Sequence, residues 1–128
     1  MDLFHLGWVI SSNYGGGVVR CESLKQLYEV ISKKMTSYNI VLNENYLTIE
    51  NSTSHVIKIV FNFGFFDVYI DDIYYHDVDK FDIEETIESI ITNYILFKNN
   101  SAHIISPKEY EKVIKKDESA HIFKFNNV

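Results

Sequence analysis

Between Ile40 and His76 the chain repeats one pattern. A few residues of alternating apolar and polar character are followed by a break of Asn, Ser or Gly. Such segments are too short for ordinary helices and fit a run of strands joined by turns. Ile40–Leu42, Tyr46–Glu50, His55–Asn62 and Phe66–Asp71 each read as a strand. Asn43-Glu44-Asn45, Asn51-Ser52-Thr53-Ser54 and a turn around Gly64 separate them, and Ile73–His76 is expected to extend the sheet or cross its end. In His55–Asn62, Ile57, Ile59 and Phe61 face one way, and Val56, Lys58, Val60 and Asn62 the other. Both sides are partly apolar, which places this strand at the centre of a sheet.

Helical periodicity appears on either side of the run. Leu24, Leu27, Tyr28, Ile31 and Met35 form one apolar stripe, with Ser23 and Gln26 at capping-box spacing before it. Ile83, Ile87, Ile90, Ile91, Tyr94 and Ile95 form a stronger one, with Asp82 and Glu85 as its capping pair. Ser106-Pro107-Lys108-Glu109 starts a third helix, proline standing at the first helical position. Phe4–Ile10, Val18–Cys21 and Ala120–Phe125 read as further strands. The expected fold is therefore α+β. A single domain, residues 1–128, would hold a mainly antiparallel sheet of about five to six strands. Two long helices and one short helix would pack on one face of it.

The chain has 128 residues and a formal net charge of −6. That balance opposes binding to nucleic acid, where phosphates must be met by Lys and Arg, and opposes docking on anionic lipid. Cys21 is the one cysteine, so no internal disulfide can form, and a reducing compartment is expected. The start MDLFHLGWVI carries an acid where a secretory signal needs basic residues, and no apolar run approaches the ~20 residues of a membrane span. A cytoplasmic location follows as the expectation. Asn51-Ser52-Thr53 and Asn99-Asn100-Ser101 match the glycosylation sequon and are read as turn residues.

Few residues point to chemistry. Gly15-Gly16-Gly17 lacks the Gly-Lys-Ser/Thr of a phosphate loop and reads as a hairpin turn. Asp71, Asp72, His76, Asp77 and Asp79 have oxygen and nitrogen ligands, but at no spacing that suits an EF-hand or a zinc site. No metal or cofactor is expected. His5, His55, His76, His103 and His121 stand singly. A small enzyme would need His76 or His55 to converge with carboxylates in a pocket. Cys21 precedes a helix start, where a thiolate would be favoured, yet it has no partner motif.

The strongest functional signal is the stretch Phe65–Glu88. It holds nine of the 18 acidic residues and one Lys, Lys80, threaded with Phe65, Phe66, Tyr69, Tyr74, Tyr75 and Phe81. Rings can anchor a contact, and carboxylates can steer a basic partner. Tyr69, Asp71, Asp72, Tyr74, Tyr75, Asp77 and Asp79 are the expected partner-binding residues. Solubility and helix capping account for many of the acids, but poorly for the neighbouring tyrosines. A third possibility is a regulatory subunit that dimerises through a sheet edge such as Ala120–Phe125.

With its acidic charge, its α+β pattern and the segment DDIYYHDVD, the chain resembles, in general character, the bacterial immunity proteins of contact-dependent and other polymorphic toxin systems. The resemblance implies an inhibitor that masks a basic, nuclease-type toxin. It rests on no family motif and assigns no residue. Since no metal is expected, chelator treatment should leave the thermal midpoint unchanged. A fall of more than a few degrees would show a bound ion stabilising the folded state.

Overall fold

The structure, a computed structural model, describes residues 21–51, 55–116 and 121–125. The strands expected at Phe4–Ile10 and Val18–Cys21 and the Gly15–Gly17 turn fall, apart from Cys21, outside the described residues. In chain order the elements are α1 (Leu24–Lys34), β1 (Asn39–Leu42), β2 (Leu47–Glu50), β3 (Val56–Asn62), β4 (Phe65–Ile70), β5 (Ile73–Asp79), α2 (Ile83–Thr92), β6 (Tyr94–Lys98), β7 (Ser101–Ile105), α3 (Pro107–Lys116) and β8 (His121–Lys124).

Tight turns set the register. Phe63 and Gly64 join β3 to β4, Asp71 and Asp72 join β4 to β5, and Asn99 and Asn100 join β6 to β7, all six with positive φ. Paired positive φ is the mark of the type I′ turn, whose twist matches that of the flanking strands. With register fixed, side-chain alternation decides the faces. Leu47, Ile49, Ile57, Ile59, Phe66, Val68 and Ile70 point to one side of the meander and are fully buried. Leu27 and Ile31 of α1 and Ile83, Ile87 and Ile90 of α2 join them in the core. Burying such a side chain is worth roughly 1.5–3 kcal/mol, so this one face carries most of the stability.

The class is as expected, α+β with antiparallel pairing, but the sheet is divided. A five-stranded sheet runs β1-β2-β3-β4-β5, and a separate three-stranded sheet runs β7-β6-β8. Nor are there two long helices and one short: α1, α2 and α3 have 11, 10 and 10 residues. Both differences have one cause. The stripe of α2 was expected to continue through Tyr94 and Ile95. Instead Asn93 adopts extended backbone, and its side-chain amide donates to the Ser89 carbonyl at 3.0 Å, ending the helix. The aromatic and aliphatic run Tyr94–Phe97 then forms β6, and Asn99-Asn100 turns it into β7. Ile95 lies four residues after Ile91, so it suits a helical stripe and a buried strand equally.

The helices also do not all share one face. Ile95 is buried in the main core, so Tyr94, on the alternate side of β6, faces away from it. There Tyr94 stacks on Tyr110 of α3, with ring centroids 4.1 Å apart. The third helix therefore covers the far side of the small sheet.

The helix starts differ in their chemistry. Ser23 Oγ accepts the Gln26 N–H and Ser106 Oγ accepts the Glu109 N–H, each at 3.2 Å. Gln26 reaches back to the Glu22 N–H, one residue before the cap. Asp82 stands at the N-cap of α2, but its side chain makes no capping hydrogen bond. The expected Asp82–Glu85 capping box is thus not formed. The first-turn acid Glu84 is nearly buried and is held by Lys34 from the last turn of α1. That hydrogen bond, foremost, raises the Lys34 pKa, so the stability the charged lysine adds is present at neutral pH and is lost as pH climbs through the raised value.

Ser23→Ala and Ser106→Ala should each cost about 1 kcal/mol in urea unfolding, the usual loss for a used N-cap. Asp82→Ala should cost no more than ~0.5 kcal/mol, a charge–dipole effect alone. A loss at Asp82 equal to that at Ser23 would mean that its side chain caps the helix in solution.

Candidate functional site

The alternation that buries Phe66, Val68 and Ile70 turns Phe65, Asp67 and Tyr69 of β4 outward. Register then sets their neighbours. Tyr69 lies between Lys58 of β3 and Tyr74 of β5, and Asp67 lies between Val60 and Asp77. The Tyr69 and Tyr74 rings meet edge to face with centroids 5.5 Å apart. The Tyr74 hydroxyl donates to Asp77 Oδ1 at 3.0 Å. Desolvation, followed by this hydrogen bond, raises the Tyr74 pKa, so the phenol stays protonated and keeps its donor role. Lys58 leans away from the acids, with its Nζ 4.8 Å from the centre of the Tyr46 ring.

Asp67 and Asp77 are a directly opposed cross-strand pair. Like charges so placed oppose folding by a few tenths to about 1 kcal/mol. Two carboxylates beside two rings in edge-to-face contact form a surface that attracts a cation and offers aromatic area to it.

The seven residues expected to contact a partner do not all reach this surface. Tyr69, Tyr74 and Asp77 come together on it. Asp71 and Asp72 form the β4–β5 turn; Asp72 is exposed, whereas the Asp71 carboxylate accepts the Val56 N–H and meets His55 Nδ1, each at 2.8 Å. Asp79 accepts the Phe81 N–H at 2.9 Å at the end of β5. Tyr75 points elsewhere because the β4–β5 register shifts: Tyr69 pairs with Tyr74 and Val68 with His76, which leaves Tyr75 as the extra residue of a bulge. It packs against the core, and burial raises its pKa. Asp67 was absent from the expected set. Its signal in the sequence was its spacing of two from Phe65 and Tyr69, the outward phase of the strand.

The residues considered for acid–base chemistry are placed as follows. His55 pairs with Asp71, but Asp71 is also bound to the backbone and acts as a tie between strands. His76 Nδ1 lies 2.7 Å from the Asp77 carbonyl on the exposed edge of β5. Two shallow clefts lie elsewhere. One is bordered by Ser23, Leu42 and Phe61, the other, about 510 Å³, by His103, Glu109 and Lys98. Neither includes His55 or His76. Among the described residues no group of three His, Cys, Asp or Glu side chains could hold a metal ion, and no helix is long and apolar enough to cross a membrane.

No family model, curated protein or solved structure matches this chain.

Cys21 sits before α1 but is fully buried. Burial foremost, then the charges of Glu84 and Glu22, push its thiol up to about 11, opposite to the shift expected at a helix start. At about pH 8 roughly one such thiol in a thousand is ionised. Iodoacetamide should therefore leave the folded protein almost unmodified and label it promptly in denaturant. Rapid labelling of the native protein would show that Cys21 is accessible and ionisable.

Proposed function

We propose that this chain is a binding module for a basic protein, acting as an immunity-type inhibitor that masks a cationic, nuclease-type toxin. The observation that carries the reading is the opposed pair Asp67 and Asp77 beside the Tyr69–Tyr74 ring pair, on the side of the sheet facing away from the core. A cross-strand pair of like charges subtracts from sheet stability. A partner's lysine or arginine seated between them would remove the repulsion. A nuclease must present such cations to bind phosphate, so a carboxylate face is suited to cover its active site.

The roles divide by chemistry. Tyr69 and Tyr74 supply rigid area with a polar tip, the kind of residue that dominates interface energy. Asp67, Asp77 and the exposed Asp72 supply charge that speeds encounter. Asp71, Tyr75 and Asp79 hold the strands and turns that present them.

The test is binding kinetics, at two salt concentrations, against the partner purified from the native cell. Asp67→Lys/Asp77→Lys should slow association at least ~10-fold and flatten its salt dependence. Tyr74→Ala should instead raise the dissociation rate, at a cost of about 2 kcal/mol. If the double-lysine variant keeps its circular dichroism spectrum and binds like the wild type, the acidic face is not the contact surface.

A further inference from the structure

Among the described residues, nothing buries Phe63. It is 96% exposed, so its ring gains almost nothing from burial. It also holds a φ of +46°, a left-handed conformation that costs a bulky residue energy. The other turns of this kind in the chain supply an internal comparison. Their first positions are Asp71 and Asn99, residue types that tolerate the conformation. Among the described residues, only the β3–β4 turn puts an aromatic ring there. The tip stands clear of the body, since a Cβ built on Gly64 would meet nothing within 4 Å.

The surroundings indicate what the ring meets. Phe65, 47% exposed, begins the outward row that continues through Asp67 and Tyr69. The Lys80 N–H donates to the Gly64 carbonyl at 3.3 Å, which ties the turn to the residue after β5. The charged residues around these rings are mostly acidic. Asp79 pairs with Phe65 across the strands, Asp82 is exposed, and Lys80 is tied to Glu22 at 3.2 Å. An acidic rim repels an anionic lipid surface and suits a basic protein.

We propose that Phe63 is a partner anchor: an aromatic plug, with Phe65 beside it in the chain, that enters an apolar cleft of a basic protein whose rim carries Lys or Arg. The class of partner rests on the function proposed above; the anchor itself rests on exposure and backbone conformation at Phe63.

A photoreactive phenylalanine analogue at position 63, introduced in the native cell, identifies the protein that the tip touches. That protein is then purified and its binding is compared for wild type, Phe63→Asn and Asp67→Lys/Asp77→Lys. Phe63→Asn creates an Asn-Gly turn, so its thermal midpoint should equal or exceed that of the wild type. Its complex should dissociate at least ~10-fold faster, with the salt dependence of association unchanged. The proposal is overturned if Phe63→Asn binds as the wild type does, or if it unfolds at a lower temperature, which would make the ring part of the fold. It is equally overturned if the probe cross-links to no protein or only to a second copy of this chain, or if anionic vesicles bind the wild type and not Phe63→Asn. The two readings fail separately. Loss of binding in Phe63→Asn alone leaves the anchor and removes the acidic face, and loss in the double-lysine variant alone does the reverse.

Discussion

The Asp71 carboxylate lies where the two sheets are joined. One oxygen takes the Val56 N–H at the start of β3, and the other meets the His55 ring. That ring lies edge-on to Phe123, with centroids 5.0 Å apart, and 6.4 Å from Phe125. Asp71 thus ties the turn leaving β4 to the strand beside it, and through His55 to the end of β8 in the small sheet. A lone carboxylate in a half-buried turn would be costly; one whose oxygens both have partners is a fixed point. The β4–β5 hairpin is held at this end by Asp71 and at the other by the Lys80 N–H on the Gly64 carbonyl. Between them, the strand face carrying Tyr69, Tyr74, Asp67 and Asp77 is presented on a rigid support.

That face sets like charges opposite each other across the strands. Asp67 and Asp77 oppose each other at a cost that the buried face of the same strands easily covers. Phe66, Val68 and Val78 alternate with these acids and are buried. Each strand therefore alternates at a period of two: inward residues hold the sheet, and outward residues form the face proposed above for recognition. Phe63 extends the same division to a turn, where backbone strain and an exposed ring are tolerated because the strands on either side are well paired.

How much of this could be read beforehand depended on whether one element decides it. The meander from Asn39 to Asp79 was legible because each strand states its own period and each break its own turn chemistry. The serine caps of α1 and α3 were legible for the same reason. The cap expected at Asp82 was not, since a residue in the right place does not guarantee a bond. Of the expected contact residues, Tyr69, Tyr74 and Asp77 share a surface, whereas Tyr75 is turned to the core by a bulge that no local pattern announces. Asp71 looked like one more free acid because its partners, His55 and Val56, are 16 and 15 residues away in sequence.

The sequence by itself determined the α+β class, the antiparallel run of strands, the position of the helix starts and the concentration of acids among aromatic rings. These follow from periodicity and from interactions within four residues, which the order of residues states directly. Tertiary structure decided that the run after α2 becomes a strand, that the strands divide into two sheets, and which acids are spent on the fold. Ile95 satisfies a helix stripe and a strand face alike, and the choice fell to the pairing of β6 with β7 and β8. Likewise, a carboxylate is identical in sequence whether it faces water or a distant N–H. Only long-range register, fixed by the tight turns and the buried face, separates Asp71 from Asp67 and Asp77.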